Sequence, residues 1–196
     1  MSFSTVSVVG SGPVGCGIAI AIAQVGVPVT IVRATSGEVQ STIARVERRL
    51  TILVDSGSLA PSERQRVRAR IDVSGQLSQV ASSDLVIETT FGDARTRRAR
   101  LATVEGQLSA GAVLAVNAEA RELPQMAEVL RRRDQFVGMR FFHPATHTTL
   151  LELGFLGETA PGVVAACRTF CSWLAKTPVE TEESAMGYRE SRVGGV

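Results

Sequence analysis

Lysine is nearly missing from this chain of 196 residues: Lys176 is the only one, and every other basic residue is an arginine. A surplus of positive charge is missing too. The 21 basic residues face 19 acidic ones and leave a formal net charge of +2, which argues against a general binder of nucleic acid. A sequence pI near 8.7 would still not repel phosphorylated small molecules. Cysteine is scarce, and Cys16, Cys167 and Cys171 show no metal-ligand spacing. Cys167 and Cys171 stand four apart, as two small packed hydrophobes on one helical face would. No apolar run approaches the ~18 residues that cross a bilayer. The N-terminus enters a strand without a basic-then-apolar leader, so a cytoplasmic protein that does not engage membranes is expected. Repeats, low-complexity tracts and Gly/Pro-rich linkers are also missing, which points to a single domain. What is present is 44% hydrophobic and 20% charged sequence, ample for a real core. Its bias toward Ala, Val, Arg and Gly hints at a GC-rich bacterial genome.

Hydrophobic periodicity supplies the architecture. Thr5 to Gly10 is a short β-rich run, Pro13 to Val25 an apolar helix, and Pro28 to Arg33 a second run of β-branched residues, together one βαβ unit. From Gly37 to Leu53 the apolar residues Val39, Ile43, Val46, Leu50 and Leu53 mark an amphipathic helix. Leu59 to Glu63 begins another, with Pro61 near its first position. Strands follow at 85–88, 113–116, 135–142, 150–156 and 177–181. They alternate with helices at 93–108, 122–130 and 161–175. Strands separated by helices predict an α/β fold of Rossmann type: a doubly wound, mostly parallel sheet with helices on both faces.

Gly10-Ser11-Gly12-Pro13-Val14-Gly15 is a Gly-x-Gly-x-x-Gly fingerprint that leaves a predicted strand and enters a predicted helix. Gly10 serves the tight turn, Gly12 the approach of a pyrophosphate, and Gly15 the packing of helix on strand. The helix N-terminus, opened by Pro13 and Val14, offers free N–H groups to the phosphates. Arg33 ends the second strand, where an NAD-specific protein normally places a carboxylate on the adenosine ribose. An arginine can instead clamp a 2′-phosphate, with Thr35 and Ser36 as hydroxyl donors. NADP is then the expected cofactor. NAD bound without a ribose acceptor, or a site that has lost its dinucleotide, remain as alternatives.

Residues 138 to 152, Gly-Met-Arg-Phe-Phe-His-Pro-Ala-Thr-His-Thr-Thr-Leu-Leu-Glu, resemble the catalytic segment of the 3-hydroxyacyl-CoA dehydrogenases, roughly Gly-x-His-Phe-Phe-Asn-Pro followed by a glutamate. Ser83 to Glu88 with Gly92-Asp93 resembles the family's Asp-Leu-Val-Ile-Glu-Ala-Val-x-Glu-Asp. The helical pair at about 37 to 70 is similar to the family's insertion after its second strand. Leu114 to Asn117 and Leu174 to Val179 match further family stretches, and Gly187 to Arg192 is a blurred form of its interdomain motif. The resemblance covers nearly the whole chain. It implies a dinucleotide-binding domain over residues 1–192, without the family's C-terminal helical domain. It also implies fatty acid metabolism, with Glu88 among the cofactor-binding residues.

Matched position by position, the family's catalytic histidine is Arg140, its active-site serine is Glu119, and the asparagine of Phe-Phe-Asn-Pro is His143. Asn117 and Glu152 remain. Oxidising a hydroxyl needs a base with a pKa near the working pH, a role histidine can fill and an always-protonated arginine cannot. Asn117, Arg140 and Glu152 are therefore expected to line a reacting centre suited to carbonyl reduction, with His143 as reserve acid. Glu119 is read as replacing a hydroxyl with a carboxylate or as balancing Arg140. His147 is read as a solvated surface histidine, and the arginine runs at 95–100 and 131–133 as solvated charge. The resulting expectation is an NAD(P)-dependent oxidoreductase acting on a hydroxyacyl or oxoacyl thioester, or on a small oxo acid. The alternatives are a catalytically silent dinucleotide- or acyl-binding partner, and one half of a split enzyme whose helical domain is a separate chain; a homo-oligomer is the other partner expected.

Overall fold

Four-residue strands with every residue buried occupy the middle of the molecule: β1 (Val6–Val9), β4 (Leu85–Glu88) and β5 (Val113–Val116). Strands covered on both faces must be continuously apolar, and these very nearly are. The structure is a computed structural model that describes residues 3–34, 38–184 and 187–191, with side chains as far as Thr181. Within the described residues one nine-stranded sheet runs β3-β2-β1-β4-β5-β6-β7-β8-β9. Its other strands are β2 (Val29–Val32), β3 (Ile71–Ser74), β6 (Phe136–Phe141), β7 (Leu150–Phe155), β8 (Thr177–Ser184) and β9 (Gly187–Ser191). The first six are mutually parallel, β7 is antiparallel to β6, β8 is parallel to β7, and β9 is antiparallel to β8. The order reverses between β1 and β4, so the crevice beyond their C-terminal ends is where such a sheet places a ligand.

Alternation along the strands sorts two cores. Val6, Val8, Ile31, Leu85 and Ile87 pack under α1 (Pro13–Gln24), α2 (Val39–Asp55), α3 (Pro61–Ala69) and α6 (Pro161–Trp173). Val9, Val32, Val86, Leu114 and Val116 point the other way, onto α4 (Ala94–Glu105) and α5 (Leu123–Ala127). Helix α1 is apolar nearly all round and is accordingly buried from Gly15 to Ala23. Helix α2 buries Thr42, Val46, Leu50 and Leu53, one stripe at helical spacing, and leaves Arg45, Arg48 and Arg49 off that stripe. Glu47 fastens α2 to α3 by bridging Arg64 at 2.5 Å and Arg68 at 2.8 Å. In α6, burial pushes the Cys167 thiol up to about 12 and the Cys171 thiol up to about 11, so both pack as inert small hydrophobes. No helix among the described residues is long and apolar enough to cross a membrane.

Of three departures from the sequence reading, two have simple causes. Strands β3 and β9 were not expected. β3 is only four residues long at the sheet edge, and its Asp72 and Ser74 break the apolar run. The stretch expected as one helix over 122–130 is a 3-10 turn, Ala120–Glu122, followed by the short α5. Pro124 has no N–H and fits only the first turn of α5, so the helical turn before it cannot run through.

Lys176, the lone lysine, is buried in the loop before β8 and ties down residues 142–149, which join β6 to β7. Its Nζ donates to the carbonyls of Ala145 at 2.8 Å and Thr148 at 2.6 Å. Burial lowers its pKa, while these two acceptors hold the ammonium group. Lys176→Met keeps an apolar stem but strands both carbonyls, at a cost of about 1–3 kcal/mol. Urea unfolding should show a loss in that range. An unchanged midpoint would remove Lys176 as the loop's anchor.

Candidate active site

The glycine loop follows β1 directly. Gly10 has φ +124°, a conformation an L side chain rarely adopts, and its N–H donates to the Val32 carbonyl at 2.9 Å. A Cβ on Gly15 would lie 2.0 Å from the Gly10 carbonyl oxygen, whereas one on Gly12 would meet nothing within 4 Å. Two glycines thus close the turn, and the third opens the loop to a cavity of about 360 Å³ bounded by Gly12, Arg33, Arg45, Thr89, Phe91 and Arg100. Helix α1 begins at this cavity with no side-chain cap on its first N–H groups, which suits a pyrophosphate. Arg45 reaches across from α2 and donates to the Ser11 carbonyl within the loop.

A second cavity of about 640 Å³ adjoins it at the end of β2, floored by Val9, Leu77 and Val104 and rimmed by Arg33, Arg95 and Arg100. Arg33 uses Nη1 on the Glu38 carbonyl at 2.9 Å, Ser41 Oγ at 3.1 Å and Thr42 Oγ1 at 2.8 Å, so one corner of its guanidinium secures the start of α2. Arg100 Nη1 donates to the Ala34 carbonyl at 2.8 Å, and its buried Nε has no partner among the described residues. An open cradle of N–H groups beside arginines, one with an orphaned donor, fits a dinucleotide carrying phosphates. Thr35 and Ser36, expected as further donors, lie outside the described residues.

Beyond the glycine loop is the third cavity, about 230 Å³, lined by Asn117, Glu119, Arg140, Arg97, Glu122 and Phe91. The register of β6 on β7 sets Arg140 opposite Glu152. Arg140 Nη1 lies 3.3 Å from both Glu152 Oε2 and Glu119 Oε1, and the guanidinium rests 5.0 Å from the Phe142 ring centre. Glu152 is fixed from behind by the Ala120 N–H at 3.0 Å, and Glu119 also pairs with Arg121 at 2.7 Å. Asn117 Oδ1 accepts the Phe141 N–H at 2.8 Å, which leaves its amide N–H group as the end offered to the pocket. Arg140 is thus a half-buried cation bridging two carboxylates through Nη1. It can donate to a carbonyl oxygen, but it cannot accept a proton.

Two expected site residues sit elsewhere. Glu88 is fully buried behind the cradle, where Oε1 accepts from the Thr90 N–H at 2.8 Å and from the Thr90 hydroxyl. Desolvation raises its pKa. His143 is exposed and lines a cleft of about 430 Å³ with Ile20, Arg45, Arg48, Arg49 and Ile52, on the other side of the strand end from Arg140. The structure brings Asn117, Glu119, Arg140 and Glu152 together and leaves His143 out. His147 is exposed, with Nε2 3.1 Å from Ser58 Oγ.

The arginine runs need correcting. Arg97 holds Glu122 at 2.8 Å and Arg100 reaches the end of β2, and neither is merely solvated. In the second run the Arg132 side chain donates to the Ser109 carbonyl at 2.6 Å and the Glu105 carbonyl at 3.1 Å, while Arg131 is exposed as expected. Sequence reasoning also missed Arg45 and Phe91. The spacing of Arg97 and Arg100 on one face of the helix after β4 was the available signal.

A match to the family description "3-hydroxyacyl-CoA dehydrogenase, NAD binding domain" spans residues 5–184. The chain belongs to this family. Its cofactor class is accordingly a nicotinamide dinucleotide, for which the glycine loop and the arginine-rimmed cavity are the matching features. The fatty acid oxidation complex subunit alpha of Psychrobacter arcticus is 28% identical over 187 residues, which is 95% of this chain and 26% of that protein. The chain spans about a quarter of the length of the curated relatives it matches. Among solved structures, an (S)-3-hydroxybutyryl-CoA dehydrogenase from Ralstonia eutropha superposes with a TM-score of 0.85 at 30% identity, covering 95% of this chain and 66% of that one. A 3-hydroxybutyryl-CoA dehydrogenase from Escherichia coli gives 0.83 at 27% identity, covering 93% and 39%.

In a dinucleotide-binding domain of this kind the loop glycines leave little room for change. Gly15→Ala pushes a methyl group into the Gly10 carbonyl oxygen, so α1 must move off β1. A stability loss of about 1–3 kcal/mol is expected, together with loss of dinucleotide binding. Thermal unfolding with a nucleotide titration checks both, and a variant that binds like the parent would contradict the assigned loop geometry.

Proposed function

We propose that this domain is an NADP(H)-dependent reductase of a 3-oxoacyl thioester or a small oxo acid. The observation that carries the reading is Arg140 held between Glu119 and Glu152, 3.3 Å from each, where a hydroxyl-oxidising enzyme needs a titratable base. A nicotinamide dinucleotide held by the glycine loop at Gly10, Gly12 and Gly15 would supply the hydride. Arg140 and the Asn117 amide donate to the carbonyl oxygen and stabilise the charge that develops there. The proton that completes the alcohol comes from water at the open side of the pocket. Glu119 and Glu152 hold the guanidinium in place, and their charges keep the site from attracting anions indiscriminately.

The choice of NADP over NAD rests on the cationic rim at the end of β2, where Arg33, Arg95 and Arg100 stand in place of a ribose-binding carboxylate. A thioester substrate is supported by the cleft between α1, α2 and the 142–149 loop. Ile20, Ile52 and Leu53 give it apolar surface, and Arg45, Arg48 and Arg49 could meet phosphates. Following acetoacetyl-CoA reduction with NADPH tests the whole reading. Turnover with NADPH exceeding that with NADH is expected, and no turnover with either cofactor, or turnover with NADH at or above that with NADPH, would sink it.

A further inference from the structure

Phe91 is the most exposed large hydrophobic side chain of the described residues, at 84%. The segment that carries it leaves β4 and is tied on its inner side. Thr89 Oγ1 donates to the Val9 carbonyl at 3.0 Å, and Thr90 gives both its N–H and its hydroxyl to Glu88 Oε1. Glu88 itself is 0% exposed, and its Oε2 is buried without a partner among the described residues. A carboxylate that costly to bury does one visible thing here: it grips Thr90 and thereby sets the ring next to it.

The ring borders two cavities at once, the glycine-loop cavity and the one that holds Asn117 and Arg140. A molecule running from the phosphate cradle to the reacting centre must pass it. We propose that Phe91 covers the nicotinamide half of the bound dinucleotide, its ring lying over the junction and excluding water, with Glu88 as the positioning residue that aims it through Thr90. Without a ligand the ring is left 84% exposed to water. Covered by the cofactor, it gains the usual return on buried apolar area. This rests on the dinucleotide reading and adds to it a residue that discriminates between the two halves of the cofactor.

The test is binding, read apart from turnover. NADPH is titrated by nicotinamide fluorescence, and 2′,5′-ADP, which lacks the nicotinamide half, by competition. Phe91→Ser is expected to weaken NADPH about tenfold and to reduce its fluorescence enhancement, while 2′,5′-ADP changes by less than about twofold. Phe91→Leu should fall between serine and the parent. Glu88→Ala should reproduce part of the NADPH loss without touching 2′,5′-ADP, and Glu88→Gln, which keeps an acceptor for Thr90, should restore it. Unchanged NADPH binding and fluorescence in Phe91→Ser would overturn the proposal, as would an equal loss for both ligands. A parent protein that binds neither ligand would instead overturn the dinucleotide reading on which the proposal rests.

Discussion

Arg140→His is expected to lower acetoacetyl-CoA reduction and 3-hydroxybutyryl-CoA oxidation together, by about 100-fold, and to give the remaining oxidation the pH dependence of an imidazole base. The first effect follows from losing a fixed cationic donor at the carbonyl oxygen, since removing one such donor costs about 100- to 1,000-fold. The second follows from register. Position 140 stands opposite Glu152 on β7, and Glu152 is already held by the Ala120 N–H at 3.0 Å. Without the arginine, Glu152 Oε2 is left to accept from an imidazole N–H and orient the ring. Only the neutral imidazole can take a proton, so oxidation should rise as pH increases through about 6.5. The neighbouring carboxylates should move that rise upward, because they favour the charged ring. Steady-state rates in both directions against pH provide the check. Reduction that survives the substitution intact would show that Arg140 is not the group at the carbonyl.

Arg33→Asp should invert the cofactor preference, moving the NADPH/NADH affinity ratio by about 100-fold. Charge-assisted bonds to a phosphate contribute about 1.5–3 kcal/mol, roughly 10- to 100-fold in affinity. The new carboxylate adds an acceptor for the ribose hydroxyls and repels a 2′-phosphate. The ratio is the right readout because Arg33 has a second role. Its Nη1 secures Glu38, Ser41 and Thr42 at the start of α2, and loosening that helix weakens both cofactors alike. Isothermal titration with each dinucleotide gives the ratio directly. Equal loss for both would confine Arg33 to the α2 tether and assign the phosphate to Arg95 or Arg100.

The elements that were legible in the sequence are those whose burial pattern is complete within a few residues. β1, α1 and β2 could be read because Val-Ser-Val-Val, a glycine turn and an apolar helix leave one consistent arrangement. Strand β3 could not, since Ile71-Asp72-Val73-Ser74 is an edge strand with one face only lightly covered. The Arg140–Glu152 pairing was accessible through the family segment, and the antiparallel register places the two residues directly opposite one another. Strand alternation points positions 140 and 143 to opposite faces, and the structure keeps His143 and Arg140 in separate cavities. Arg100 illustrates a limit for charge: a run such as Arg95, Arg97, Arg98 and Arg100 does not say which member faces inward. Its partner, the Ala34 carbonyl, is 66 residues away along the chain. Glu88 was placed near the cofactor by resemblance alone, and the structure moves it one layer behind, where it grips Thr90.

The central claim is an intact phosphate cradle with a 2′-phosphate-selective rim, and a nicotinamide fluorescence titration of the protein with NADPH and NADH tests it most directly. Saturable binding of both, with NADPH tighter by at least about tenfold, is the predicted result. Tighter binding of NADH, or no binding of either at millimolar concentration, would contradict it.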